Sequence, residues 1–298
     1  MAEDAFTEHR PLLFTIAYEM LGSAADAEDV LQESYLRWSA VDQADIEHAR
    51  AYLVRVVTRQ ALNHLRTVRA RREEYVGAWL PEPIRTAPEV SDDAILAESV
   101  SMAMMLVLET LNPTERAVFV LHDVFGYTHG EIAASVGRNE VSVRQIAHRA
   151  RRHVHARRRR FEPDSDAGRE IVERFLRAAS TGEIQSLMDL LAPDVVQISD
   201  GGGKVVAARR PITGRADVAR FVLGVLRTVT TSTHVEHATY NGMPAARFVT
   251  DGALDWLVAF EIHDGRIAGL YGVRNPDKLH RSETVLPLDR GGHQPWKP

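Results

Sequence analysis

Two stretches of the chain have the residue types to hold phosphate. Between Ala49 and Arg72 there are seven arginines and no acid. Between Val141 and Arg160 there are eight arginines, three histidines and no acid. The rest of the chain is acidic enough to bring the net charge to −5. Two basic stripes on a negative protein suit two local phosphate contacts better than indiscriminate coating of nucleic acid. A third stretch, Asp200-Gly201-Gly202-Gly203-Lys204, has the composition of a phosphate cradle but not its spacing. A P-loop separates its glycines by four residues and follows lysine with Ser or Thr. Here the glycines are contiguous and Val205 follows the lysine. Asp-Gly between the apolar runs 195–199 and 204–208 predicts a hairpin instead, because tight turns need positive φ.

Acid–base candidates lie further on, at His234, His237, Asp255 and His263. His234 and His237 fall on different faces of one predicted strand, and the spacing of the four defines no catalytic pair. The sequence therefore predicts no catalytic residue and no enzyme. The chain has no cysteine, which excludes disulfides and thiolate metal sites. No metal site and no cofactor is expected. The first residues are acidic, unlike a signal peptide, and no apolar run reaches the roughly 18 residues of a membrane span. A cytoplasmic protein without membrane contact is expected.

The elements that position these residues follow from periodicity. Residues 6–75 show a 3.6-residue apolar repeat in three segments, with Leu13, Ile16 and Met20, then Val30, Leu31 and Trp38, then Leu53, Val57 and Leu65. Residues 76–97 carry three prolines and read as a linker. Trp79 and Leu80 within it are large apolar groups that predict docking. From residue 98 to 161 the chain is helical again. Asn112, Pro113 and Glu115 form a capping-box start, Thr128 and Glu131 a second, and Asn139 a third cap after Gly137. A short helix, a glycine turn and a basic second helix make a helix-turn-helix. Residues 161–167 are a polar joint. The following part, 167–285, predicts two helices, the hairpin, a helix near 215–229, and four strands joined at Asn241-Gly242, Asp251-Gly252 and Asp264-Gly265. This is an α+β domain with a cup-shaped interior. Residues 286–298 read as a loosely ordered tail.

With these elements in place, residues 26–38, 52–72 and 111–152 resemble the extracytoplasmic-function sigma factors of bacterial RNA polymerase. The first segment resembles sigma region 2.2, the second regions 2.3–2.4, and the third region 4. The C-terminal part resembles the cone-shaped SnoaL-like fold. Three motifs in order, Trp-Leu-Pro-Glu-Pro at 79–83, Asp-Gly-Gly-Gly-Lys at 200–204 and Asn-Pro-Asp-Lys-Leu at 275–279, are similar to the SigJ-like subgroup that carries this extension. The resemblance spans roughly residues 4–285 and implies a multidomain protein. It would comprise an all-α sigma region 2 over 1–75, the linker, an all-α region 4 over 98–161 and the α+β domain.

What the resemblance implies is an alternative sigma factor that binds the β′ and β subunits of core RNA polymerase and directs initiation at promoter DNA. Asp29, Gln32 and Glu33 match the polymerase-binding stretch. Arg59, Asn63, His64, Arg66 and Arg69 match the −10-reading stretch, where flipped bases are read on edges hidden in the duplex. On the second helix of the helix-turn-helix, Ser142, Arg144, Gln145, His148 and Arg149 are the candidates for reading the −35 element, since Arg suits guanine and Gln suits adenine. Asn139 and Ile146 depart from many relatives, so the −35 preference is not transferable. Trp79, Leu80, Pro81, Asp200, Gly201, Gly202, Gly203, Lys204, Asn275, Pro276, Asp277 and Lys278 are expected to join the C-terminal domain to the linker and regulate the factor in cis. Two other readings remain at this point. One is an unknown small ligand or residual enzymatic activity in the C-terminal cup; the other is a DNA-binding regulator that acts without polymerase.

Overall fold

The computed structural model describes residues 2–42, 46–73, 75–87, 90, 92–157 and 165–292. The chain divides into two compact units, each assembled from separated stretches. Met1–Glu73, Met104–Arg158 and Pro287–Pro298 form the first, and Glu74–Ala103 and Arg159–Leu286 the second.

In the first unit, α1 (Ala2–Leu21), α2 (Ala24–Ser39) and α3 (Ala49–Glu73) pack together through the apolar stripes read from sequence. Leu13, Ile16, Val30, Trp38, Leu53 and Val57 are all buried. Ser23 caps α2 by accepting from the Asp26 amide at 3.1 Å.

The stretch between α3 and the helix-turn-helix is structured rather than a bare tether. It forms β1 (Arg85–Thr86) and α4 (Ala94–Val100), both in the second unit, and then α5 (Met102–Glu109). α6 (Pro113–Phe119) starts with a complete Asn112/Glu115 capping box. It passes into a π-helical turn, Val120–Val124. α7 (His129–Val136) starts with a Thr128/Glu131 capping box and ends at Gly137, with φ 67°. α8 (Glu140–His155) is capped by Asn139 and buries Val143, Ala147, Ala150 and Val154, leaving its basic face exposed. Part of the basic run after α8 and most of the polar joint, residues 158–164, lie outside the described residues.

The rest of the second unit is α+β. α9 (Asp166–Thr181), α10 (Ile184–Leu190) and β2 (Leu191–Asp200) come first. β3 (Ile212–Thr213) and α11 (Arg215–Leu226) follow. The meander β4 (Thr233–Tyr240), β5 (Met243–Thr250), β6 (Ala253–His263) and β7 (Arg266–Val273) turns at the three dipeptides read from sequence. Both residues of each dipeptide have positive φ, as in Asn241 (54°) and Gly242 (65°). α12 (Pro276–Leu279) and β8 (Val285–Leu286) complete the unit. The sheet order is β3-β2-β7-β6-β5-β4-β1-β8. Register shifts in β2/β7, β5/β6 and β6/β7 bend it. Phe175, Leu187 and Val218 of the helices pack on Phe248, Phe260 and Leu270 of the sheet.

The hairpin expected around Asp200-Gly201 does not form. β2 pairs with β3 through Val196↔Thr213 and Gln197↔Ile212, so its antiparallel partner comes from further along the chain. The run after Lys204 takes no strand. The Asp200 carboxylate accepts from the Gly202 amide at 3.0 Å, an Asx turn that curls the chain instead of returning it. Of the segment expected as a loose tail, residues 286–292 are engaged, and residues 293–298 lie outside the described residues. Val285 and Leu286 pair in parallel with Arg85 and Thr86. In the first unit the Asp289 amide donates to Thr15 Oγ1 at 3.1 Å, and Arg290 Nη1 donates to the Val124 carbonyl at 3.2 Å.

Candidate regulatory site and nucleic-acid surfaces

The three short motifs meet around one carboxylate in the second unit. Asp200, at the end of β2, is fully buried. Its Oδ1 accepts from Tyr75 Oη at 2.6 Å, besides the Gly202 amide. Its Oδ2 accepts from the Leu80 amide at 2.9 Å and Lys278 Nζ at 2.7 Å. Four donors thus replace the water that burial removes, which is what lets a carboxylate sit in an interior. The Asp200 carbonyl accepts from the Arg274 and Asn275 amides at 2.8 and 3.0 Å, which fixes the turn into α12.

Lys278 is the matching cation. Its Nζ also donates to the Leu80 carbonyl and lies 5.1 Å from the centre of the Tyr75 ring and 4.5 Å from that of Trp79. Asn275 caps α12 and donates to Tyr75 Oη at 2.8 Å. Burial, followed by the hydrogen bond to Asp200, pushes the Tyr75 phenol far above its ordinary range, so it stays a donor.

This packing accounts for the glycines. Gly202 has φ 62°, and a Cβ there would lie 2.4 Å from Asn275 Nδ2. Gly203 has φ 70° and faces Val76 of the linker, which a Cβ would meet at 2.9 Å. A Cβ on Gly201 would stand 2.5 Å from the Val205 carbonyl oxygen. The glycines let backbone close on backbone and on the linker, not on a phosphate. Lys204 donates to both carboxylate oxygens of Asp277, at 2.7 and 2.6 Å, with both side chains more than half exposed.

A second clasp, which sequence reasoning missed, holds the next part of the linker. Asn241 is fully buried; its Oδ1 accepts from the Ile84 amide at 3.1 Å and its Nδ2 donates to the Val100 carbonyl at 2.8 Å. Arg85 pairs with Tyr240, which places β1 between β4 and β8. Leu80, Pro81 and Ile84 are buried, and Pro276 stands at the first position of α12.

The acid–base candidates do not converge. His234 lies 3.2 Å from Glu236, and His263 lies 3.1 Å from Asp264. Only Asp255 of the four lines the large cavity of the α+β domain. Among the described residues no group of three or more His, Asp or Glu side chains is placed to hold a metal. No helix among them is long and apolar enough to cross a membrane.

In the first unit, Asp29, Gln32 and Glu33 are exposed on α2, next to Leu36, which is 62% exposed. Spacings of three, four and seven put all four on one face. On α3, Asn63 and Arg66 are exposed, and His64 Nε2 lies 3.0 Å from Asp26 Oδ1. The side chain of Arg69 lies outside the described residues. Arg59 is engaged: Nη2 donates to the Ala134 carbonyl at 2.9 Å and Nε to the Ser135 carbonyl at 3.4 Å. These carbonyls end α7, where the helix dipole is negative. On α8, Arg144, Gln145, His148 and Arg149 are exposed. Ser142 is partly buried, and its amide donates to Asn139 Oδ1 at 2.8 Å. Arg144 pairs with Glu140 at 2.9 Å.

Comparison with known proteins decides the family. The profile for Sigma-70 region 2 matches residues 5–72, and that for Sigma-70 region 4 matches residues 101–154. The chain is 36% identical to the ECF RNA polymerase sigma factor SigJ of Mycobacterium tuberculosis, over 98% of this chain and 99% of that protein. The chain belongs to the extracytoplasmic-function sigma factors. It is also 30% identical to the probable ECF RNA polymerase sigma factor SigI of the same species, over 92% of this chain and 93% of that protein. The crystal structure of Mycobacterium tuberculosis SigJ superposes with a TM-score of 0.76 at 33% identity, covering 94% of this chain and 99% of that one. The architecture read from sequence is therefore that of an ECF sigma factor: helical region 2, a helix-turn-helix region 4 and an α+β SnoaL-like extension.

Proposed function

We propose that this sigma factor engages core polymerase through the α2 ridge of Asp29, Gln32, Glu33 and Leu36. It would read the −10 element with α3 and the −35 element with α8, and its C-terminal domain would regulate it in cis. The regulatory reading rests on one observation: the segment joining region 2 to region 4 folds as part of the α+β unit. Tyr75 and Leu80 are held by Asp200, and Ile84 and Val100 by Asn241. A tether held in this way cannot adjust its length freely, so the spacing of the two promoter-reading elements depends on the domain that grips it.

Initiation also requires the first unit to open. A compact body of about 140 residues has a radius of gyration of roughly 14 Å. The −10 and −35 elements lie roughly 25 base pairs apart, about 85 Å at 3.4 Å per step. Reading both from one compact body does not span that distance, and the Arg59 contact with α7 must break. The histidines of the α+β domain support no acid–base chemistry, because they are dispersed.

The test is initiation by core polymerase on a promoter panel. Asp29→Arg and Glu33→Arg are expected to lose polymerase binding, and Asn63→Ala to bind polymerase but open promoters poorly. A sequence-specific footprint by the chain alone, with no initiation when polymerase is added, would overturn the proposal in favour of a polymerase-independent regulator.

A further inference from the structure

The outward face of α8 carries Val141, Arg144, Gln145 and His148, all exposed, at spacings of three, four and seven residues. The opposite face, with Val143, Ala147, Ala150 and Val154, is buried. Val141 is out of place on the outward one. It is 64% exposed, and among the described residues no other large apolar side chain between Met104 and Arg157 is exposed. Valine is also a weaker helix former than alanine or lysine. Neither core packing nor helix propensity accounts for it.

The surroundings select what this side chain can meet. Arg144, His148, Arg149 and Arg152 are exposed along the same helix, which suits an anionic partner. Glu140, the one acid of α8, is paired with Arg144 at 2.9 Å. Valine has no donor for a phosphate oxygen. In a major groove the apolar feature open to it is the C5 methyl group of thymine. The N-terminal residues of the second helix of a helix-turn-helix reach base edges, and Val141 is the second residue of α8. The group is also held stiffly. Its β-branch restricts χ1, and the next amide, that of Ser142, donates to Asn139 Oδ1 at 2.8 Å, which fixes the backbone beneath it.

We propose that Val141 is a specificity residue for the −35 element, packing on the C5 methyl group of one thymine. Val141 and Gln145 stand one helical turn apart, roughly 5–6 Å, and bases step about 3.4 Å, so the thymine lies about one or two pairs from the pair that Gln145 contacts. This contact rests on the assignment of α8 to the −35 element made above. A thymine methyl is removed without touching any other group of the promoter, so the contact and that assignment are tested separately.

The experiment uses the full chain with core polymerase on a promoter selected from a library randomised in the −35 element. Each thymine of that element, on either strand, is replaced in turn by deoxyuridine, which lacks only the methyl group. One replacement is expected to weaken open-complex formation about fourfold, the worth of one methyl group taken out of water. The penalty should persist in Val141→Ile and disappear in Val141→Ala. Alanine keeps the helix and an exposed site needs no refilling, so the melting curve of Val141→Ala should match the native one. Preference at the other base pairs should be unchanged. A selected element without thymine, or a uracil penalty equal in the native chain and Val141→Ala, would overturn the contact and leave the assignment of α8 standing. Initiation indifferent to the whole −35 sequence would overturn both.

Discussion

Asp200 and Lys278 stand 78 residues apart in sequence and 2.7 Å apart in space, with side chains 0% and 12% exposed. Lys204 and Asp277 are as close, at 2.6 Å, but their side chains are 54% and 63% exposed. The two pairs have the same chemistry and opposite weights. Truncating one partner of a buried pair strands the other without water, whereas an exposed pair is rehydrated.

Asp200→Asn is therefore expected to destabilise the second unit by about 3–5 kcal/mol, and Lys204→Glu by less than about 1 kcal/mol. Amide exchange at Leu80, whose N–H donates to Asp200, reads this directly. It should quicken strongly in the first variant and little in the second. Equal effects would show that burial does not set the weight of these pairs.

Gly202→Ala meets both a positive φ and Asn275. A loss of about 2 kcal/mol is expected. Asn275→Ala removes the steric part but not the backbone part, so the double variant should lose less than the sum of the singles. A double-mutant cycle by urea unfolding, followed at Tyr75 and Trp79, measures the coupling. Strict additivity would mean that the two residues do not press on one another.

How far the sequence carried this picture differs from motif to motif. The caps at Asn112, Thr128 and Asn139 were legible because a capping box is local: its residues are three apart and bond to each other. The three hairpin turns were legible for the same reason. Asp200-Gly201 misled, because an aspartate before glycine also makes an Asx turn, and choosing between the two needs the strand partner. That partner, β3, begins twelve residues later. Docking by Trp79 and Leu80 was legible from their size in a proline-rich stretch. The weight of Asp200–Lys278 was not, since sequence shows charges and not their burial. Tyr75 and Asn241 carried no signal beyond their type: one sits at a predicted helix end, the other in a turn dipeptide that already accounted for it.

The exposed face of α8 should divide by role. Gln145→Ala is expected to relax preference at one base pair of the −35 element by about 1–3 kcal/mol. Arg152→Ala, further along the exposed face of α8, should weaken all promoters similarly and lower the salt dependence by about one phosphate. Initiation over a single-substitution promoter library at two salt concentrations separates them. A uniform loss for Gln145→Ala would remove it from base reading.

His129 gives region 4 a pH dependence. Burial, then the neighbouring charges of His122 and Arg144, hold its imidazole below the ordinary 6.5. The unfolded chain then binds the proton more readily than the folded one, so stability is full above pH 6.5 and falls as pH drops below it. Amide exchange in α7 and α8 should quicken between pH 7 and pH 5.5 beyond the intrinsic trend, and His129→Gln should reduce that excess. A slope unaffected by the substitution would assign the effect to other groups.

The central claim is that the grip of the α+β unit on the linker sets promoter output. Single-round transcription with core polymerase, comparing the native chain with Asp200→Asn, Lys278→Met and Lys204→Glu, tests it most directly. The first two variants are expected to change the initiation rate severalfold in the same direction, and the third to stay within about twofold, the ordering set by burial. Native rates from Asp200→Asn and Lys278→Met, in protein whose Leu80 amide exchanges freely, would contradict it.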